Sequence, residues 1–124
     1  MRVRRGGALV ELPLALNDIV VGRDQVGHMV DVVVRIDGRP ALGIAGDGLI
    51  VATSTGSTAH ALSAGGPIVE PTVKAVVLVP IAPHSLAHRP VVLPASHHLE
   101  LVLDAGRHPG RVTVDGAEGA PLRH

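Results

Sequence analysis

Asp47-Gly48-Leu49-Ile50-Val51-Ala52-Thr53-Ser54-Thr55-Gly56-Ser57-Thr58-Ala59-His60-Ala61-Leu62-Ser63-Ala64-Gly65-Gly66-Pro67 runs from an apolar strand straight into hydroxyls, small residues and glycines. Its first part, Leu49 to Thr53, is an unbroken, partly β-branched apolar run, the character of a buried strand. Five Ser/Thr residues then fall between Thr53 and Thr58, interrupted only by Gly56. They offer little apolar area for burial but many hydrogen-bond donors and acceptors. Such a segment marks a bend where backbone and hydroxyls meet a polar ligand. Ser57 suits the N-cap of a short helix from about Ser57 to Leu62, because its side chain can accept from free backbone N–H groups. Gly65, Gly66 and Pro67 would stop that helix.

Outward from this segment, valine falls in short runs punctuated by Gly, Pro and Asp, the pattern of many short strands. The expected strands are Leu9 to Leu12, Asn17 to Gly22, Met29 to Ile36, Leu42 to Ala45, Leu49 to Thr53, Ala75 to Val79, Val91 to Leu93, Leu99 to Leu103 and Arg111 to Val114. Asp37-Gly38 predicts a tight hairpin turn, and Asp115-Gly116 a turn after the last strand. Helical periodicity is weak elsewhere, and no linker, internal repeat or low-complexity tract interrupts the chain. The expectation is one all-β, sandwich-like domain over residues 1–124, with one short helix near residues 57–63.

Composition narrows the function. The 124 residues are 46% hydrophobic yet include no Phe, Tyr or Trp, so the core is aliphatic. Bases cannot stack on aromatic rings of this chain, and eleven basic residues balance eleven acidic ones. Neither nucleic acid nor a membrane surface is an expected partner. There is no cysteine, which excludes disulfide scaffolds and zinc–thiolate sites. No apolar run is long enough for a helical membrane span. A cytoplasmic protein is the default expectation.

Each polar candidate has a plain structural reading beside the functional one. Asp47, with Gly48, is a ribose or amide acceptor at the entry of a strand, or an ordinary Asp-Gly turn. Asn17-Asp18 is an adenine-reading amide beside a ribose-holding carboxylate, or an Asx turn. Thr55-Gly56-Ser57-Thr58 suits an anionic or polar ligand at a helix start, or is a capped start and nothing more. His84 and His88 have a helical metal-ligand spacing, but Pro83 and Pro90 oppose a helix and no third ligand is suggested, so no metal site is expected. His97-His98 reads as a solvated loop pair. No nucleophile-elbow motif supports a Ser57–His60–Asp47 triad.

Taken together, these pieces resemble the NAD kinase family. The segment Asp47 to Val69 is similar to that family's hallmark stretch. Ala15-Leu16-Asn17-Asp18 resembles its upstream Asn-Glu/Asp motif. Pro80-Ile81-Ala82-Pro83-His84-Ser85-Leu86 and Arg89-Pro90-Val91-Val92-Leu93-Pro94 resemble its later Pro-rich segment, and Val114-Asp115-Gly116 the end of its core. The resemblance implies the family's C-terminal, all-β, NAD-binding domain. It further implies an enzyme that phosphorylates the adenosine-ribose 2′-hydroxyl of NAD with ATP and a divalent cation, usually magnesium, to give NADP. By position it implies Asn17 and Asp18 on the adenosine and ribose portions and Asp47 at the nicotinamide end. Thr58, Ala59, His60 and Ser63 would line the adenine and ribose pocket, with Ser57 close by. Homodimers or homotetramers with sites shared between subunits are implied as well.

The departures are specific. The family's N-terminal domain carries a Gly-Gly-Asp-Gly loop with the aspartate that activates the hydroxyl; here Gly6-Gly7 is followed by Ala8. These 124 residues therefore hold no catalytic aspartate, and the chain by itself is expected to be inactive without an N-terminal kinase domain as partner. Position 60 is His where many members have Tyr, position 54 is Ser where Pro is common, and Ala117 stands where Gln is common. A non-catalytic NAD/NADP-binding or oligomerisation module is the alternative expectation.

Overall fold

Eleven short strands and one helical bend make up the described part of the chain. The computed structural model describes residues 2–5, 8–24, 26–104, 106 and 109–122; Gly6-Gly7 lies outside them. The strands are β1 (Arg2–Arg5), β2 (Ala8–Glu11), β3 (Asp18–Arg23), β4 (Val30–Ile36), β5 (Arg39–Gly46), β6 (Gly48–Thr53), β7 (Ala75–Ile81), β8 (Val91–Pro94), β9 (Leu99–Asp104), β10 (Gly110–Val114) and β11 (Ala117–Leu122). A 3₁₀ turn (Thr55–Thr58) and the single-turn helix α1 (His60–Ser63) follow β6.

A six-stranded antiparallel sheet, ordered β11-β10-β3-β6-β7-β8, forms the centre. A three-stranded sheet, β5-β4-β9, covers one face, and β1–β2 form a separate hairpin. Alternation along β4 explains the facing sheet: Val30, Val32 and Val34 are buried while Asp31, Val33 and Arg35 are exposed. The inward valines pack with Ile44, Leu49 and Leu78. The opposite face of the central sheet buries Ile50, Ala52, Val77 and Val79 against Ala61 of α1. Central strands β6 and β7 are therefore covered on both faces, which is why Leu49-Ile50-Val51-Ala52 and Ala75-Val76-Val77-Leu78-Val79 read as continuous apolar runs.

Every strand expected from the sequence is present, with ends shifted by up to three residues. Two more exist that the sequence pattern did not announce. β1 is Arg-Val-Arg-Arg, without an apolar run, and β11 contains Gly119 and Pro121. A sheet edge tolerates that composition, because one side of an edge strand needs no ladder bonds. The Asp115-Gly116 turn thus leads into a further strand. Both Asp-Gly dipeptides form hairpins through left-handed pairs: Asp37 and Gly38 have φ of 50° and 80°, Asp115 and Gly116 of 48° and 75°. That is the type I′ geometry whose twist matches the flanking strands. No helix among the described residues is long and apolar enough to cross a membrane.

Candidate functional site

The hydroxyl-rich bend is built by internal hydrogen bonds before any ligand arrives. Thr53 Oγ1 donates to the Leu16 carbonyl (2.7 Å) and accepts from Gly56 N (2.9 Å). Ser54 Oγ donates to the Val73 carbonyl (2.5 Å) and accepts from Ala75 N (3.3 Å). Ser57 is fully buried; its hydroxyl donates to the Ser54 carbonyl (2.7 Å) and accepts from Val69 N (2.9 Å). Three of the five hydroxyls therefore tie the bend to its neighbours. The expected N-cap role of Ser57 is corrected. Helical geometry breaks at Ala59 (φ −94°, ψ −126°), and neither short helix has a side-chain cap bond. Ser57 lies inside the 3₁₀ turn and braces it to the chain at Val69.

Gly56 presses against the segment that carries Asn17 and Asp18. A Cβ at Gly56 would lie 1.9 Å from the Asn17 carbonyl oxygen and 2.6 Å from its Cα. That carbonyl accepts from Thr53 N (2.8 Å). From the other side, the Asp115 carboxylate accepts from Leu16 N (2.8 Å), Asn17 N (2.7 Å) and Asp18 N (3.0 Å), while Asp115 N donates to the Asp18 carbonyl (2.9 Å). The three N–H donors, Leu16's foremost, hold the Asp115 carboxyl below its ordinary value. Asp115 is thus the buckle of the site. Sequence reasoning saw only a turn there, and its Asp-Gly signature gave no hint of partners nearly a hundred residues away.

The fold places Asn17, Asp18, Ala59 and His60 at one end of the β3–β6 pair, where Asp18 stands opposite Ala52. Asp18 is 4% exposed, and no described residue donates a hydrogen bond to its carboxylate. Among the described residues no fully sealed polar side-chain atom lacks a partner, so the Asp18 oxygens keep some contact with solvent. Burial pushes the Asp18 carboxyl above its ordinary value, His60 draws it back down, and Asp115 pushes it up. Thr58, His60 and Ser63 are exposed, and Ala59 is half-buried. The Thr58 hydroxyl makes only a long bond to the Thr55 carbonyl (3.4 Å).

Asp47 lies elsewhere. Its carboxylate pairs with Arg23 at 2.7 Å, and its backbone N–H donates to the Ile81 carbonyl. Arg23 ends β3 and Asp18 begins it, five residues or about 17 Å away. Asp47-Gly48 is a strand entry instead of a turn, and a Ser57–His60–Asp47 triad is not assembled. The His97-His98 pair, expected to be merely solvated, latches the connection between β8 and β9 to the β4–β5 hairpin turn. Asp37 Oδ2 lies 2.7 Å from His97 Nδ1, and Asp37 Oδ1 accepts from His98 N at 2.9 Å. His84 and His88 are not on a helix. Among the described residues, no three His, Asp or Glu side chains gather to hold a metal ion.

Comparison with known proteins identifies this arrangement. Residues 16–124 match the family model of the ATP-NAD kinase C-terminal domain, so the class is that of a kinase's C-terminal β-domain. The chain is 42% identical to the NAD kinase of Koribacter versatilis over 119 residues, covering 96% of this chain and 42% of that protein. It is 46% identical to the NAD kinase of Aromatoleum aromaticum over 114 residues, covering 92% and 38%. The chain belongs to the NAD kinase family, of which it represents the C-terminal domain. Two solved structures share the fold. Yeast NADH kinase complexed with NADH has a TM-score of 0.81 at 38% identity, over 87% of this chain and 32% of that one. An NAD kinase from Archaeoglobus fulgidus in complex with ATP has a TM-score of 0.78 at 37% identity, over 89% and 42%. The chain thus spans less than half the length of these relatives.

Proposed function

We propose that this chain supplies the dinucleotide-binding half of an enzyme that phosphorylates the adenosine-ribose 2′-hydroxyl of NAD with ATP, giving NADP. The observation that carries the reading is Asp18: a residue only 4% exposed, whose carboxylate receives no hydrogen bond among the described residues. An unpaired buried charge is costly and persists where a ligand completes its bonds. Ribose hydroxyls are donors of the right kind. Asn17 beside it offers an amide for the adenine edge. Thr58, Ala59, His60 and Ser63 form the wall on the helical bend. Ser57 shapes that wall from beneath and holds no free hydroxyl for the ligand. Asp47 takes the nicotinamide end. Its distance from Asp18 suits an extended dinucleotide, or a neighbouring copy in a homodimer or homotetramer.

Phosphoryl transfer rests on positioning and charge stabilisation across a closed cleft. The Gly-Gly-Asp-Gly loop with its hydroxyl-activating aspartate does not occur in these 124 residues. The described residues also lack a cluster fit to hold magnesium, so the cation would arrive on the phosphates of ATP. Binding of NAD without turnover is therefore expected of this chain alone. Calorimetry with NAD, and NADP formation assayed with magnesium and ATP, test this. Asp18→Ala should weaken NAD binding at least tenfold, the scale of a lost charge-assisted hydrogen bond. Unchanged NAD affinity in that variant would refute the reading of the site, and turnover by the chain alone would refute the division of labour.

A further inference from the structure

We propose that Asp115 is a positioning residue of the dinucleotide site: from the tip of the β10–β11 hairpin it holds Asn17 and Asp18 ready for the ligand and so sets NAD affinity. The inference rests on the reading of Asn17 and Asp18 as ligand contacts. It goes further by giving a part in binding to a residue that acts only through them.

Asn17 lies before β3, in the connection from β2. Burial does not fix this connection, since Leu14 and Leu16 within it are exposed. Its backbone is held from two sides instead. On one side Thr53, at the end of β6, takes the carbonyls: Thr53 Oγ1 donates to Leu16 O (2.7 Å) and Thr53 N to Asn17 O (2.8 Å). On the other side Asp115 takes the N–H groups. Its Oδ2 accepts from Leu16 N at 2.8 Å, and its Oδ1 from Asn17 N at 2.7 Å and Asp18 N at 3.0 Å. Pairing of Val114 with Ile19 brings the turn beside the start of β3.

A carboxylate suits this task, because bonds to a charged acceptor are stronger than neutral ones. Three donors leave it little capacity for a ligand, so its influence passes through Asn17 and Asp18. Without it, three N–H groups lose this acceptor and the segment loosens. Ordering the segment then opposes binding.

The second Asp-Gly hairpin provides a matched control. Asp37 has nearly the same backbone, with φ of 50° against 48° at Asp115. Its carboxylate accepts from His98 N and contacts His97 Nδ1, and neither histidine belongs to the proposed site. Glycine takes up both left-handed conformations without strain, so Asp→Gly at either turn removes the carboxylate alone.

Calorimetry with NAD on the full chain, Asp115→Gly and Asp37→Gly tests the proposal, with urea unfolding alongside. Both variants should lose stability. Asp115→Gly should weaken NAD binding by about tenfold or more, the factor for ordering one freed residue on binding, while Asp37→Gly stays within about twofold of the chain. Asp115→Asn keeps the oxygen that serves Asn17 and Asp18 and loses the acceptor for Leu16 N, so its affinity should fall between the two. Amide hydrogen exchange separates positioning from general destabilisation. The N–H groups of Leu16, Asn17 and Asp18 should exchange fast in ligand-free Asp115→Gly and slowly in Asp37→Gly. Unchanged NAD affinity in Asp115→Gly, an equal loss in Asp37→Gly, or slow exchange of all three amides in Asp115→Gly overturns the proposal while the dinucleotide site stands. If Asp115→Gly does not fold, Asp115→Asn against Asp37→Asn decides: a greater loss of affinity in Asp115→Asn supports the proposal, and equal affinities overturn it. A chain that binds no NAD removes the reading of Asn17 and Asp18, and this proposal with it.

Discussion

Gly56→Ala is the most demanding test of how the site is built. Gly56 does not have a left-handed backbone, so space alone forbids a side chain there. The added methyl would lie 1.9, 2.4 and 2.6 Å from the oxygen, carbonyl carbon and Cα of Asn17. Comfortable separation requires the two backbones to part by about 1.5 Å. Neither is a flexible side chain that can swing aside. Forced overpacking costs about 1–3 kcal/mol, and backbone against backbone belongs at the upper end. Parting the segments also breaks the Thr53 N to Asn17 carbonyl bond and the Gly56 N to Thr53 Oγ1 bond, at about 1 kcal/mol each. The expected loss is about 3–5 kcal/mol, a large share of the roughly 5–15 kcal/mol that stabilises a domain. The thermal midpoint should drop by roughly 12–20 °C. Gly43→Ala is the control: its Cβ would meet nothing within 4 Å, and the change should stay within about 0.5 kcal/mol. Urea unfolding followed by far-UV circular dichroism measures both, and calorimetry should show NAD affinity falling with Gly56→Ala only. If Gly56→Ala costs less than about 1 kcal/mol, the tight crossing of the bend over Asn17 does not exist in solution.

Further expectations rest on the same geometry. Ser57→Ala strands Val69 N and should cost about 2–3 kcal/mol in urea unfolding, although Ser57 offers the ligand no hydroxyl. Asp18→Asn should stabilise the chain at pH 7 by about 1 kcal/mol, because it removes an uncompensated buried charge, and calorimetry should show weaker NAD binding at the same time. The carboxyls of Asp115 and Asp37 are held below their ordinary value of 3.8, so they bind fewer protons folded than unfolded. Their stabilisation is complete above that value and lost as pH falls through the lower folded values. Asp18 is shifted the other way and opposes this trend only between 3.8 and its raised value. Urea midpoints measured from pH 5 downward should therefore fall below about pH 3.8, and Asp115→Asn should flatten that limb. Arg23→Ala should cost under about 1 kcal/mol, since the pair with Asp47 is near 30% exposed.

Local chemistry in the sequence determined most of the architecture. Valine-rich runs between turn residues placed nine strands, and Asp37-Gly38 predicted its hairpin, because strand propensity and type I′ turns depend on a few adjacent residues. The same logic failed for β1 and β11, whose pairing is supplied by a neighbouring strand and not by their own composition. The candidate site was legible as a set of residue types, from Asn17-Asp18 to the hydroxyl-rich bend. Which hydroxyls are free was not. Ser54 and Ser57 look the same as Thr58 in sequence, yet the fold buries two of them against β7 and Val69 and leaves the third exposed. Asp115 braces Asn17 across 98 positions, and Asp18 lost most of its solvent without gaining a donor among the described residues. Those outcomes depend on how β10, β3 and β6 lie side by side. Hydrogen bonds and desolvation are set by distances in space, and no local pattern records the distance between residues so far apart in the chain.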